Sequence, residues 1–299
     1  MSLADTTVPS TAGGPLAAPG VAPGAVRAWW RLLASELKLV FRRWRNLALL
    51  GVLVVLPTVL GIALKLSAPG GGDEGPNSFF FNELAGNGVF LAFIALTIML
   101  ALVLPLTVAV VSGDSVAGEA GSGTLRYLLA VPAGRTRLLA AKYVAAVIYG
   151  LAGTALVASV SLLLGALLFP VGPVTLLSGT SVPLADGLLR LLLVTLYVAA
   201  GMAALAAIGL AVSTLTEHPI AAIATTLVLA VASEVADQVP QFAAVRPYLP
   251  THWWMSFDAL LRSPIATADL LHGLLSFGVY AVIFAAIAWA RFTSADVTS

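Results

Sequence analysis

The chain has 299 residues, of which 60% are hydrophobic and 10% are charged, with a net charge of +1 and no cysteine. A soluble domain carries about 25% charged residues, so this sequence has too little charge to cover the surface of a water-soluble enzyme. The lack of cysteine excludes disulfides and thiolate metal or redox sites. The balanced charge gives no indication of nucleic-acid binding. The composition therefore predicts a protein of which most lies in a lipid bilayer.

Long segments without charged residues predict the membrane spans. A helix needs about 20 apolar residues to cross the hydrocarbon core of a bilayer. Six segments meet this requirement, at about 47–66, 84–112, 141–168, 188–212, 219–237 and 271–290. The ten-residue alternation that is typical of a membrane barrel does not occur in the sequence. We therefore expect an all-α membrane protein with six transmembrane helices, in which Pro57 and Pro105 kink the first two spans.

The distribution of Lys and Arg predicts the orientation of these spans. With six spans both termini lie on one side, and that side carries 11 of the 15 basic residues. Because basic residues accumulate in cytoplasmic loops, we expect a multi-pass protein of the inner (plasma) membrane with both termini in the cytoplasm. Residues 1–25, rich in Ala, Gly and Pro, are predicted to form a disordered cytoplasmic tail, and residues 291–299 a short second tail.

The segment 26–46 is amphipathic when read as a helix. Its apolar face comprises Trp30, Leu33, Leu37, Val40, Phe41 and Trp44, and its basic face comprises Arg27, Arg31, Lys38, Arg42 and Arg45. Aromatic and Leu residues opposite a basic face are typical of a helix that lies in the headgroup layer, so we predict an interfacial helix here. A cytoplasmic extension of the first span is the alternative.

The sequence lacks the motifs of common enzyme sites. None of the three lysines, Lys38, Lys65 and Lys142, follows a glycine-rich loop, so a nucleotide site of the P-loop type is excluded. The three histidines are far apart and form no i,i+4 pair, so a zinc-binding helix is excluded as well. We therefore predict a non-catalytic membrane subunit with no catalytic residue, no metal site and no cofactor bound by this chain.

The segment 113–142, between the second and third predicted spans, is the most informative part of the sequence. An apolar stripe at helical spacing comprises Leu125, Leu128 and Leu129. Gly121 and Gly123 permit a bend before this stripe, and Pro132 ends the helix. We expect a cytoplasmic helix over about 114–132. Its leucine face is covered either by lipid headgroups and the amphipathic helix or by a partner protein.

This segment resembles the motif of ABC-transporter permeases of the second exporter type. In that family an acidic residue, Gly-Thr-Leu, a Leu pair, Pro, Arg and Lys recur in this order between the second and third spans. Here they stand as Glu119, Gly123-Thr124-Leu125, Leu128-Leu129, Pro132, Arg135 and Lys142. The six-span layout, the amphipathic helix and the short C-terminal tail agree with the resemblance, which covers the chain from about residue 26.

The resemblance implies a permease subunit that forms half of the pathway of an ATP-driven exporter. Two permease chains, identical or related, would pair, and two separate ATPase subunits holding ATP and Mg would bind beneath them. The helix after span two, a coupling helix, would carry the motion of the ATPase to the spans. The residues implied in this coupling are Glu119, Gly123, Thr124, Leu125, Arg126, Leu128, Leu129, Pro132 and Arg135. In this set the leucines would make the docking contacts, and Glu119 and Arg126 would make polar contacts with the partner or a polar contact within the chain.

Two further sets of residues are candidates. The turn at 213–219, with Glu217 and His218, is a possible second contact to the ATPase, and a plain helix cap is the alternative. Spans two and five line the route in the resembling family, which implies Phe90, Phe93, Thr97, Thr225, Thr226 and Glu234 as lining residues. For Glu234, a position at the outer interface is the alternative, because a charge deeper in the bilayer is costly.

The segment at about 238–270 contains several prolines and paired Trp residues, so we expect an external re-entrant or interfacial segment there. Two classes of function remain for the whole chain. The first is the exporter permease. The alternative is a structural or signalling membrane protein whose cytoplasmic helix docks a partner that is not an ATPase. A membrane-embedded enzyme is disfavoured, because no cluster of His, Asp or Glu occurs within the spans.

Overall fold

The computed structural model describes residues 24–67, 87–123 and 134–294. The helices in these ranges are α1 (Ala25–Arg42), α2 (Trp44–Ser67), α3 (Phe90–Ala101), α4 (Val103–Gly121), α5 (Arg135–Leu168), α6 (Leu184–Leu215), α7 (Pro219–Gln238) and α8 (Thr267–Ser294). A short antiparallel hairpin, β1 (Val174–Thr175) and β2 (Ser181–Val182), joins α5 to α6 and pairs Val174 with Val182. Three 3-10 segments, Pro240–Phe242, Arg246–Tyr248 and Trp254–Leu261, connect α7 to α8.

Six of the described helices, α2 and α4 to α8, are long and apolar enough to cross a membrane. This confirms the prediction of an α-helical membrane protein with six candidate spans. Several helices run further than the predicted spans. Helix α5 has 34 residues, and α8 continues to Ser294, so residues 291–294 are helical where the sequence predicts a tail.

The second predicted span differs from the expectation of one helix over 84–112. The helix is interrupted at Leu102, where φ is −150°, and this interruption separates α3 from α4. Pro105 accounts for this break, because its nitrogen cannot donate a hydrogen bond to the carbonyl of Ala101, where α3 ends. The kink predicted from Pro105 is therefore a complete interruption of the helix.

The end of the same span also lies elsewhere than predicted. Helix α4 runs without interruption from Val103 to Gly121, so residues 114–121 continue a candidate span and do not form a separate helix. The coupling helix over about 114–132 stays a prediction. Gly123 follows with φ of 68°, in the left-handed region that favours glycine, so the bend predicted from the two glycines is present. Residues 124–133, which carry the rest of the predicted coupling helix, lie outside the described residues.

Helix α6 lies at the centre of the bundle. It packs against α4, α5, α7 and α8, while α5 packs on its other side against α1, α2 and α3. Small residues permit close approach in this bundle: Gly209 of α6 lies against Ser112 of α4, and a Cβ at Gly209 would overlap the Ser112 side chain. Such packing stabilises helix pairs in lipid, where no hydrophobic effect drives the helices together.

Helix α1 lies beside α5 and runs in the same direction. Glu36 of α1 contacts Lys142 of α5, and five residues later Phe41 packs against Tyr149 with ring centroids 5.5 Å apart. Val40, on the same side of α1, is buried. Part of the apolar stripe that the sequence assigns to the headgroup layer therefore contacts α5. The position of α1 relative to a bilayer stays a prediction.

Candidate functional site

Charged side chains from α1, α4 and α5 meet in a buried triad. The Nζ atom of Lys142 lies 2.5 Å from Oε1 of Glu119 and 3.2 Å from Oε2 of Glu36. Only 1% of the Lys142 side chain and 9% of each glutamate side chain is exposed. A buried charge is stable only beside an opposite charge that replaces its water, so the three residues depend on one another. The triad thus joins the three helices.

The local sequence places each member of the triad. Glu36 stands three residues after Leu33 and four before Val40, both buried, so helical spacing turns its carboxylate toward α5. Glu119 lies in the last turn of α4, just before the chain leaves that helix. Lys142 lies two turns into α5, after the chain has returned. The triad is therefore built from helix ends and from the buried face of α1.

A second ionic cluster holds the joint between α1 and α2. The carboxylate of Asp114 in α4 accepts a hydrogen bond from Arg43, the residue between the two helices, and another of 2.9 Å from Nη2 of Arg45. The Asp114 side chain is 8% exposed, whereas the Arg45 side chain is 46% exposed. Asp114 therefore pairs with two arginines at the point where α1 is followed by the first candidate span.

Asn46 fixes the same joint through hydrogen bonds. Its Nδ2 donates to the carbonyl oxygen of Val40 in α1 at 2.9 Å, and its own carbonyl oxygen accepts from the Tyr149 hydroxyl at 2.9 Å. Asn46, the triad and Asp114 line one small cavity among α1, α2, α4 and α5. The triad and the Asp114 cluster together contain three acidic and three basic side chains, so their charges balance.

Ser213 of α6 ties the end of α4 to the centre of the bundle. Its Oγ accepts hydrogen bonds from the backbone N–H groups of Val116 at 3.1 Å and Ala117 at 2.9 Å. The same hydroxyl donates to the carbonyl oxygen of Gly113 at 2.7 Å. One buried side chain thus makes three hydrogen bonds to the backbone of α4, which fix residues 113–117 of α4 against α6.

The turn between α6 and α7 lies against the end of α4. A Cβ at Gly121 would lie 2.7 Å from the carbonyl oxygen of Glu217, so a larger residue than glycine does not fit at 121 without a shift. The side chains of Glu217 and His218 are exposed, and the His218 N–H donates to the hydroxyl of Thr216 at 3.1 Å. The possible second coupling contact therefore lies next to the residue from which the segment 122–133 departs.

The predicted coupling residues fall into two groups. Glu119, Gly123 and Arg135 lie in the described chain, and the Arg135 guanidinium donates to the carbonyl oxygen of Thr293 in α8 at 3.0 Å. The residues outside the described ranges are Thr124, Leu125, Arg126, Leu128, Leu129 and Pro132. Their role in docking stays a prediction.

The residues implied as pathway lining occupy different environments. Phe90 and Phe93 are each 3% exposed and pack edge to face at 6.0 Å. Thr226 is buried and its hydroxyl donates to the carbonyl of Ala222 in its own helix. The other members are exposed (Thr97 and Thr225) or half-buried (Glu234). The set is therefore divided among buried, half-buried and exposed positions, and its role stays a prediction.

Hydrogen bonds at the end of α7 near Glu234 hold the turn before the third 3-10 segment. Oδ1 of Asp237 lies 2.6 Å from Nδ1 of His252, and the hydroxyls of Ser233 and Thr251 lie 2.8 Å apart. On the other side, the Tyr197 hydroxyl of α6 donates to the carbonyl of Trp253 at 2.8 Å. The segment predicted to be external therefore bonds to both α6 and α7. Within the described ranges, no three His, Asp or Glu side chains are grouped to hold a metal ion.

Sequence reasoning found Glu119 and Lys142 through the motif but missed Glu36, Asp114 and Asn46. The role of Glu36 could have been predicted, because it is the acidic residue of α1 and falls on the buried side of that helix. No local pattern indicated the roles of Asp114 and Asn46, since their partners come from distant parts of the chain.

A family described as proteins of unknown function, DUF2705, matches residues 73–298. The chain belongs to the DUF2705 family. The DUF2705 region covers α3 to α8, so it includes Glu119 and Lys142 of the triad but begins after Glu36 and the whole of α1. A comparison with curated protein sequences finds no match.

Proposed function

We propose that this chain is the membrane-spanning permease subunit of an ATP-driven ABC exporter. It would form half of a substrate pathway in the inner membrane, with a second permease chain, identical or related, forming the other half. The observation that carries the proposal is the buried triad of Glu36, Glu119 and Lys142, because it links both flanks of the segment 124–133 to α1. The resemblance of residues 119–142 to the permease motif supports the same function.

The triad provides a route for force. Glu119 stands five residues before the segment 124–133 and Lys142 nine residues after it, so their ion pair closes the chain around that segment. A push on the segment from the cytoplasm would reach α4 and α5 together, and through Glu36 it would reach α1. Breaking a buried ion pair costs about 3–5 kcal/mol, so these helices would move as one unit.

The turn at Glu217 supports a second contact. Its carbonyl oxygen lies against Gly121, so the turn and the start of the coupling segment are neighbours at one end of the bundle. A single ATPase surface could then contact both. The ATPase would also supply what this sequence lacks, since nucleotide and Mg would bind to the partner and hydrolysis would occur there.

Copurification of the full chain from its native membranes tests the proposal. We expect an ATPase to accompany the wild-type chain and to be lost by at least tenfold from Leu128→Asp, because a carboxylate cannot be buried in an apolar groove. Leu177→Asp is the matched control, since Leu177 is exposed in the hairpin between α5 and α6, which is predicted to lie on the other side of the membrane. Retention of the ATPase by Leu128→Asp would contradict the docking assignment. Loss of a partner without ATPase activity would indicate the structural or signalling alternative.

A further inference from the structure

The exposed side of α1 carries four cations. They are Arg27, Arg31, Lys38 and Arg42, here called the basic face. The spacings of four, seven and four residues place them on one side of the helix, and all four side chains are exposed. In the described part of the chain, no salt bridge involves any of them. The basic face is therefore a concentrated positive surface.

The acidic residue of α1 does not offset this charge. Glu36 points to the opposite side of the helix, where it pairs with Lys142 and is 7% exposed. In the described residues, the basic face therefore has no acidic partner. The buried triad and the basic face are two consequences of the same arrangement, because burial of Glu36 leaves only cations on the exposed side.

Exposed aromatic side chains border the basic face. Trp30 is 62% exposed and lies between the basic face and the buried stripe that contains Leu33. Trp44, directly after the joint, is 83% exposed. Trp residues concentrate at the boundary between the bilayer and water, and cations beside them fit phosphate headgroups. Protein interfaces also use Trp and Arg, but Trp44 is the first residue of a candidate membrane span, so a lipid boundary is the environment that fits these indoles best.

The basic face also lies close to the membrane. Helix α1 ends at Arg42 and the first candidate span begins at Trp44, so a single residue separates the end of the basic face from a membrane helix. We propose that the basic face of α1 binds the phosphate headgroups of anionic lipids in the cytoplasmic leaflet. This inference does not depend on the proposed transport function, because it uses only α1 and its joint with α2.

A fluorescence measurement on the full chain tests this proposal. The chain contains no cysteine, so Ser35→Cys, at an exposed position of α1, gives a single site for an environment-sensitive label. The labelled chain is reconstituted in nanodiscs of phosphatidylcholine alone or mixed with phosphatidylglycerol, and quenching by neutral acrylamide is measured. We expect severalfold weaker quenching with phosphatidylglycerol, and recovery of quenching at high salt. Equal quenching in the two lipids would overturn the proposal.

Charge variants identify the source of the effect. Arg31→Gln with Lys38→Gln should weaken binding to phosphatidylglycerol by about 25-fold, since each cation near an anionic surface contributes about fivefold, so most of the protection from quenching should be lost. Lys65→Gln with Arg262→Gln is the matched control, because it removes the same charge from exposed positions away from α1. Equal losses in the two double variants would contradict the assignment.

The same measurement distinguishes lipid headgroups from two other sources of the anion, free phosphate and a cytoplasmic protein. Protection of the label by inorganic phosphate in phosphatidylcholine discs would indicate a site for free phosphate groups and would overturn the assignment to lipid. Protection in native membranes but not in discs with phosphatidylglycerol would assign the basic face to a cytoplasmic protein, which would overturn it as well.

Discussion

The Nζ atom of Lys142 lies 2.5 Å from Oε1 of Glu119, although the two residues are 23 positions apart in the chain. Between them the chain leaves α4, passes through the segment 124–133 and enters α5. The ion pair joins the end of α4 to the first turns of α5, on either side of the segment 124–133. Whatever binds the segment therefore acts on two helices that are already joined, and Glu36 joins α1 to them.

Replacement of Lys142 by Met should destabilise the protein strongly. Two buried carboxylates, Glu36 and Glu119, would lose their cation, at a cost of about 3–5 kcal/mol. Thermal unfolding of the purified chain in detergent measures the effect. Lys65→Met is the control, because Lys65 is exposed and its loss should cost less than about 1 kcal/mol. Equal losses for the two variants would contradict the structural role of the triad.

Neutralising the carboxylates should recover part of that loss. In the Lys142→Met background, Glu36→Gln and Glu119→Gln remove the uncompensated charges, so the triple variant should unfold at a higher temperature than Lys142→Met alone. In the wild-type background the same two substitutions should destabilise, because they leave the lysine buried without a carboxylate. If the glutamines lowered stability equally in both backgrounds, the three charges would not be coupled.

Gly209→Ala should separate α4 from α6. The added Cβ would overlap the Ser112 side chain and lie 3.3 Å from Cγ2 of Thr226, so the helices must shift. Overpacking of this kind costs about 1–3 kcal/mol, which the unfolding temperature in detergent would report. Gly278→Ala in α8 is the control, since a Cβ there meets no atom within 4 Å and should be neutral or slightly stabilising. A Gly209→Ala variant as stable as Gly278→Ala would be inconsistent with the observed helix contact.

Ser213→Ala should loosen the end of α4. The substitution removes an acceptor from two backbone N–H groups and a donor from the Gly113 carbonyl, in a buried position. Loss of a buried hydrogen bond costs about 0.5–1.5 kcal/mol, and amide exchange near Val116 should accelerate. Ser159→Ala is the control, because the exposed Ser159 hydroxyl bonds only within its own helix. Unchanged exchange in Ser213→Ala would show that the three hydrogen bonds contribute little.

Single cysteines test the predicted orientation of the spans. With the termini in the cytoplasm, His218→Cys should be protected from a membrane-impermeant maleimide in intact cells, and Thr180→Cys should react. Both positions are exposed and lie in opposite turns at the two ends of α6, so accessibility within the protein is matched. The reverse pattern would place the termini outside, and reaction of both would contradict the six-span arrangement.

Composition alone predicted the helical membrane fold because burial in lipid demands long apolar segments, and these are visible in sequence. The glycines also predicted a local feature correctly: Gly121 and Gly123 mark the end of α4 and the turn after it. Helix ends were less predictable. Glu119 lies in α4, which continues past residue 114 without interruption, and the pairing with Lys142 allows its charge to be buried there.

The candidate site was predicted only in part. The motif drew attention to Glu119 and Lys142 but did not indicate that they meet each other. Glu36 and Asp114 have partners 106 and 71 residues away, and such pairings depend on how helices cross, which no local pattern records. The motif therefore indicated two of the buried charges, and only the packing of α1, α4 and α5 shows the others and their pairing.

The hydrogen bonds of Asn46 have a mechanical consequence. Asn46 bonds Val40 on one side of the joint and receives the Tyr149 hydroxyl on the other. A pivot of α1 at this joint would therefore break the hydrogen bond to Val40, unless α2 turned with α1 and pulled on α5 through Tyr149. The 34 residues of α5 extend over about 51 Å, so a tilt of about 5° would displace its far end by about 4 Å. A small rotation at the end of α5 near α1 would thus displace the other end of α5 by several ångströms.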